Sequence, residues 1–436
     1  MLEFGTDGVR GRANSELSVE FALKLGQCVA RAIIGSTFVV GRDTRVSGTM
    51  LQAAFASGLA SRGVSVLDLG VIPSPGVAYI CTKLCLPGAV ISASHNPYFD
   101  NGIKIIGASG TKLSDETEAE IERLLEVIDD DLPENVGIIT DASHLVRDYV
   151  GFLTDLEIVG SLQGMTLVID VGHGAASPLA RSVFESYGSN VIVINDSPDG
   201  TNINAKAGST HLDGLRQVVI SESADLGLAF DGDADRVLAV DNTGEILDGD
   251  FVMAILARFL KQKNALRHNC VAVTVMSNMG FGIAMAEMGI SVIETDVGDR
   301  YVFEAMERHD LVLGGEQSGH VIMRDIATTG DGMLTGLVLA SAIRAAAIPT
   351  STLATQAMTR FPQVLENIYY SGDARARLAD NDINAFIETQ GAMLGNEGRI
   401  LVRASGTEPV IRVMVEAKTE ETARMVADDI SRVIKG

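Results

Sequence analysis

"VFESYGSNVIVIN", Val183 to Asn195, reads as a helix that stops and a strand that begins. Gly188 stands where a helix commonly places a left-handed residue, a backbone that glycine adopts without steric penalty. The β-branched run after it suits a strand covered on both faces. The same punctuation occurs at Gly63 in "LASRGVSVLDLG" (residues 59–70) and at Gly289 in "MAEMGISVIETD" (residues 285–296). Three such segments, too widely spaced for a solenoid, predict three similar α/β units with parallel or mixed sheets.

The rest of the chain is arranged around these segments. "SDETEAEIERLLEVIDDD" (residues 114–131) predicts a helix capped by Ser114, with Ile121, Leu124, Leu125 and Ile128 as its apolar stripe. The tail is different in kind. "GRILVRASGTEPVIRVMVEA" predicts two strands around a polar turn, and "TEETARMVADDISRVIKG" a helix with Ala423, Val426, Ile430, Val433 and Ile434 on one face. The expected architecture is three related α/β domains with mixed sheets, residues 1–148, 149–246 and 247–362. A smaller C-terminal α+β domain, residues 363–436, is suited to act as a lid over a central cleft.

The bulk properties narrow the function. A chain of 436 residues exceeds a single hydrophobic core, and 46% hydrophobic with 21% charged residues is ordinary folded composition. The net charge of −23 opposes nucleic acid and anionic membranes as partners, since both are bound through basic patches. It also requires any phosphorylated substrate to meet cations gathered at one place. No apolar run approaches the roughly 20 residues that cross a bilayer, and the amino terminus lacks a signal-peptide pattern. The four cysteines have no zinc spacing and nothing calls for an oxidising compartment, so the expectation is a reduced, cytoplasmic protein.

In "AFDGDADRVLAVD" an apolar strand delivers Asp231, Asp233 and Asp235 at alternate positions of a tight loop. Three hard oxygen ligands suit Mg²⁺, which leaves coordination positions for a phosphate oxygen. An EF-hand fails here, because its sixth and twelfth positions would be Arg236 and Asn242 rather than glycine and glutamate. The bland reading is a solvated acidic turn, which rarely follows so apolar a strand.

"ISASHNPYFDNGIK" (residues 91–104) is a strand running into an Asn-Pro turn, with Ser92, Ser94 and His95 at its exit and Lys104 on the return. A Ser–His–Asp hydrolase fits poorly, since neighbours on an extended chain face opposite ways and no G-x-S-x-G elbow is present. Taken alone the stretch fits plain turn chemistry as well as a nucleophile. "RASGTEPVIRV" offers Arg403, Ser405, Gly406, Thr407 and Arg412, a set suited to gripping a phosphate dianion, or a polar hairpin with incidental arginines. In "LGGEQSGH", Glu316 and Ser318 suit sugar hydroxyls or a satisfied internal loop equally. "TDVGDRY" (Gly298, Asp299, Arg300) and "FGTDGVRG" (Arg10) add cations on glycine-rich turns, so Arg10, Lys104, Arg236, Arg300, Arg403 and Arg412 all lie in motifs.

In this order, these segments resemble the α-D-phosphohexomutase family from Phe4 to the last helix. The resemblance implies an isomerase in which Ser94 carries a transferable phosphoryl group. It implies one Mg²⁺ held by Asp231, Asp233, Asp235 and a phosphoryl oxygen on Ser94. Glu316 and Ser318 would bind sugar hydroxyls, with Gly298, Asp299 and Arg300 also facing substrate. Arg403, Ser405, Gly406, Thr407 and Arg412 would hold the phosphate that stays in place. Lys104, His95, Arg10 and Arg236 would surround the transfer, which passes through a 1,6-bisphosphate that also primes the enzyme. Within the family, "SHNPYFDNGIKI", "MSNMG", "VGDRYV" and Gln317 resemble the branch acting on glucosamine phosphates, towards UDP-N-acetylglucosamine and cell-wall precursors. Ala234 stands where that branch often has glycine. The implied partner is a phosphosugar, and a homodimer is allowed. The alternatives are a relative acting on mannose or glucose phosphates, a phosphatase, and a catalytically silent sugar-phosphate sensor.

Overall fold

Each of the three glycine-punctuated segments delivers the same strand of the same sheet design. The computed structural model describes residues 8–33, 35–127, 133–370, 372–404 and 410–435. Gly63, Gly188 and Gly289 have φ of +85°, +89° and +62°, the left-handed backbone expected past a helix end. The strands that follow are Ser65–Val71, Asn190–Ile194 and Ser291–Thr295. Each runs parallel to the strand preceding its helix: Thr37–Arg42, Thr166–Asp170 and Cys270–Thr274. On the other side of that first strand lies a parallel third: Gly88–Ile91, Leu226–Phe230 or Leu313–Gly315. The third turns straight back into an antiparallel fourth: Asp100–Ile106, Val237–Asp241 or Val321–Met323. The spatial order second, first, third, fourth is therefore common to all three mixed sheets.

This repetition places the chemistry. The turn between third and fourth strands spans residues 92–99, 231–236 and 316–320. Those are the serine stretch, the aspartate loop and the glutamate loop. Parallel strands that are buried throughout, such as Gly88–Ile91 and Leu226–Phe230, thus end in polar turns held at one edge of a rigid sheet.

Helix Asp115–Val127 buries Ile121, Leu124 and Leu125 as its stripe predicts, and Ser114 Oγ accepts from the Thr117 amide at 3.4 Å. Ile128 lies outside the described residues. No single helix among the described residues is long and apolar enough to cross a membrane. The deepest helix, Gly332–Ala346, is buried from Gly332 through Ile343. It starts at Asp331, whose Oδ1 accepts from the Leu334 amide at 3.0 Å and whose Oδ2 accepts from Tyr149 Oη at 2.9 Å. Burial outweighs these bonds and pushes the Asp331 carboxyl from an ordinary 3.8 to about 6. A carboxyl raised on folding contributes stability that is fully present below its unfolded pKa and lost as pH climbs through about 6. Asp331→Asn, uncharged throughout, escapes that loss. In chelator, its unfolding free energy should gain about 2–3 kcal/mol on the parent between pH 4 and pH 7, measured by denaturant titration.

By contacts the chain divides into two compact bodies, Met1–Met276 with Ser291–Thr355, and Ser277–Ile290 with Gln356–Gly436. The second holds a three-stranded antiparallel sheet in the order Gln363–Tyr369, Val410–Ala417, Gly398–Ala404. Helix Glu420–Lys435 buries Ala423, Val426, Ile430 and Ile434 against this sheet's core. The strand pair and last helix match expectation; the third strand and helix Asn381–Leu394 are additions. The "MSNMG" segment is bonded here. The buried Glu416 carboxylate accepts from Asn278 Nδ2 (3.2 Å), the Met279 amide (2.9 Å), Gln363 Nε2 (3.1 Å) and Arg399 Nε (2.8 Å).

Candidate active site

The first two hairpin turns meet at Ser94. Its backbone is left-handed, with φ of +51°, and its Oγ donates to Asp231 Oδ2 at 2.5 Å, with His95 Nδ1 at 3.4 Å. Asp231, Asp233 and Asp235 are all buried, and each offers an oxygen within 4.8 Å of the others'. Asp233 Oδ1 and Asp235 Oδ1 are buried without a hydrogen-bond partner. A native fold seldom leaves carboxylate oxygens so unless a cation satisfies them. Burial first, then the negative neighbours Asp235 and Asp233, push the Asp231 carboxyl well above the usual range. The donor set therefore fits a divalent cation with oxygen ligands. Ala234, at φ of +56°, adopts the left-handed backbone for which glycine is better suited.

Cations line this cluster. Lys104 Nζ lies 2.9 Å from Asp233 Oδ2 and 3.5 Å from Asp235 Oδ2. Burial opposes ionisation of Asp233 as well, but Lys104 and a 2.5 Å hydrogen bond from Ser74 Oγ overcome it, holding this carboxyl below the carboxylate range. Arg236 Nε is 3.8 Å from Asp235 Oδ1, and its Nη1 is 3.4 Å from His95 Nδ1. Burial, then Arg236 and Arg10, lower the His95 pKa, so its ring is neutral at neutral pH. Arg10 reaches this neighbourhood because its strand, Val9–Arg12, pairs with Asp100–Ile106, placing it opposite Gly102.

The third turn presents Glu316 and Ser318, whose Oγ donates to Glu316 Oε2 at 3.2 Å. Gln317 is turned away, donating to the buried Asp250 Oδ2 at 3.1 Å. Gly298, at φ of +136°, opens helix Asp299–Arg308. Asp299 Oδ1 meets Lys112 Nζ at 2.6 Å, while Oδ2 lies 3.7 Å from His320 Nε2. Arg300 is engaged by Asp115 and, at 3.0 Å, by Glu304. In the second body Arg403 and Arg412 face each other across paired strands, and burial together with Arg412 lowers the pKa of Arg403. Like charges set opposite on a sheet are destabilising unless an anion joins them. Ser405, Gly406 and Thr407 lie outside the described residues.

Two further side chains contribute, and only the first carries a weak sequence signal. Ser74, in "IPSPG", has no chemistry-bearing neighbours in sequence and meets Asp233 across 159 positions. His320 closes the glutamate motif and was legible there. It is buried, accepts from the Gly330 amide at 3.1 Å and lies 3.7 Å from Asp235 Oδ2.

Four family descriptions match along the chain: phosphoglucomutase/phosphomannomutase alpha/beta/alpha domains I, II and III over residues 1–131, 147–244 and 248–361, and the C-terminal domain over 370–433. A phosphoglucosamine mutase of Corynebacterium efficiens is 47% identical over 443 residues, covering 99% of this chain and 98% of that protein. One from Carboxydothermus hydrogenoformans is 47% identical over 441 residues, covering 99% of both. Among solved structures, a phosphoglucomutase/phosphomannomutase family protein from Burkholderia thailandensis superposes with a TM-score of 0.85 at 24% identity, covering 100% of this chain and 98% of that one. Aspergillus fumigatus N-acetylphosphoglucosamine mutase, solved with GlcNAc-6P and magnesium, gives 0.69 at 17% identity, covering 100% and 95%. At these identities the two structures speak for the fold.

Proposed function

This chain belongs to the phosphoglucomutase/phosphomannomutase family, and from that membership we propose that it works as a phosphoglucosamine mutase. It is an isomerase: glucosamine 6-phosphate and glucosamine 1-phosphate differ only in which hydroxyl carries the phosphoryl group. The observation that carries the reading is the Ser94 hydroxyl 2.5 Å from a buried aspartate triplet, within a chain alike end to end with phosphoglucosamine mutases.

In the proposed sequence the sugar's C1 hydroxyl attacks the phosphorus on Ser94 and the P–Oγ bond breaks. A 1,6-bisphosphate and a free serine result. The serine oxygen then attacks the C6 phosphoryl group, whose bond to the sugar breaks, giving glucosamine 1-phosphate and restoring phosphoserine. In this reading Lys104, which lies 2.9 Å from Asp233 and 3.5 Å from Asp235, neutralises charge on the moving group. Mg²⁺ held by Asp231, Asp233 and Asp235 supplies the remaining neutralisation when bound. Glu316 and Ser318 read the sugar hydroxyls, and the opposed Arg403 and Arg412 grip the phosphate that is not moving. A bisphosphate primer reloads Ser94 whenever water has removed its phosphoryl group.

Comparing kcat/KM for glucosamine, glucose and mannose 6-phosphates tests this directly. The glucosamine ester should lead by about 10-fold or more, a discrimination of ~1.4 kcal/mol. A preference for the mannose or glucose ester would move the chain to the other branch. Steady release of label from the phosphoenzyme as inorganic phosphate would make it a hydrolase.

A further inference from the structure

Arg45 is the largest of the fully buried side chains, 2% exposed, and almost all of its donors point at one loop. Its Nη2 donates to the carbonyls of Ser94 (2.9 Å) and Asn96 (2.8 Å). Its Nη1 donates to those of Asp100 (3.1 Å) and Pro97. Nε is paired with Asp43 Oδ2 at 2.8 Å, so the charge is not stranded. The same Asp43 oxygen accepts from Ser92 Oγ at 2.6 Å, and Ser92 Oγ in turn accepts from the Ser94 amide at 3.0 Å.

Asn204, in the second α/β unit, closes the arrangement. Its Nδ2 donates to the Ser94 carbonyl (2.9 Å) and the Asn96 carbonyl (3.1 Å), the two that Arg45 Nη2 holds. Its own amide is fixed on the Gly172 carbonyl at 2.9 Å. A side chain at Gly232 would meet the Ser94 carbonyl at 2.6 Å, so the aspartate loop closes over this carbonyl as well.

A left-handed backbone at a non-glycine residue is uphill by about 1–2 kcal/mol and must be imposed by its surroundings. We infer that Arg45 and Asn204 are positioning residues that impose it at Ser94: by clamping the serine carbonyl from two units, they aim Oγ at Asp231. The inference rests on Ser94 being the phosphoryl carrier. While the bisphosphate reorients, the free serine has no phosphoryl group tying it to the cluster; its carbonyl is held by the clamp and its amide by Ser92, and these backbone bonds keep the hydroxyl within reach of Asp231. The clamp therefore acts on transfer rather than on sugar binding.

Asn204→Gly is the informative variant, because Asn204 itself has φ of +58° and glycine keeps that backbone. Its kcat should fall about 10- to 100-fold, with KM for the sugar phosphate within about twofold of the parent. Asn204→Asp, which sets a carboxylate against two carbonyls, should fall at least as far. A folded Asn204→Gly with kcat within twofold, or with KM rising in step with a falling kcat, overturns the inference. Should Asn204→Gly not fold, Asn204→Ser, whose hydroxyl is too short to reach both carbonyls, carries the same test. Ser94→Ala runs alongside. If it still turns over, the carrier assignment has failed; if it is inactive while Asn204→Gly is fully active, only the clamp has failed.

Discussion

Ser94→Ala should lose turnover by on the order of 10⁵-fold, or about 7 kcal/mol of transition-state stabilisation, while its affinity for glucosamine 6-phosphate stays within a few-fold. Alanine fits the space, since Ser94 is buried and only Oγ is removed. The clamp on the Ser94 carbonyl acts through the backbone and survives the change. What disappears is the atom proposed to take the phosphoryl group; its nearest polar neighbours are the Asp231 carboxylate that accepts its hydrogen bond and His95 Nδ1 at 3.4 Å. Single-turnover labelling with ³²P should show no phosphoenzyme, and calorimetry should show sugar-phosphate binding intact. Residual turnover above about 1% of the parent would place the carrier elsewhere.

The second large effect concerns the aspartates and separates activity from stability. Chelation should lower turnover by about 10³-fold or more, reversed by Mg²⁺. Asp231→Asn should show a similar loss that Mg²⁺ does not restore. Yet in chelator this variant should unfold at a higher temperature than the parent. The Asp231 carboxyl is raised on folding by burial and by its negative neighbours, so its stabilising contribution is lost as pH rises through that elevated value. Asparagine carries no such liability, and its advantage in chelator should widen as pH rises above the ordinary carboxylate range. Adding Mg²⁺ at about 100 times its Kd should return about 2.7 kcal/mol to the parent and little to the variant. Calorimetric scans with and without Mg²⁺ measure both. An Asp231→Asn protein less stable than the parent in chelator at pH 8 would refute the argument.

Much of the fold and part of the site are legible in the sequence. Glycine followed by β-branched residues marks Gly63, Gly188 and Gly289 because both signals are local, and the structure turns them into the same strand three times. The aspartate triplet was legible because its three carboxylates come from one turn. Strand Gln363–Tyr369 escaped notice for a physical reason: its outward positions Leu365 and Tyr369 are exposed apolar residues, so the alternation that marks a half-buried strand is blurred. Ser74, Arg45 and Asn204 were invisible because each acts on a residue far along the chain, at separations of 159, 49 and 110. Nothing nearby in sequence distinguishes them. Gln317 was legible as a mark of the family branch but not as a residue turned inward onto Asp250.

The Glu416 cluster bears on how such a protein can be taken apart. Asn278, Met279, Gln363 and Arg399 all donate to one buried carboxylate, although the first two sit more than eighty positions upstream of the others. Excising everything from residue 363 onward would strip the 277–290 stretch of its acceptor and leave the Met279 amide, at the start of helix Met279–Glu287, unsatisfied. Chimeras between relatives should therefore graft two pieces together, the short upstream segment and the tail, because in this molecule inheritance by contact does not follow the order of the gene.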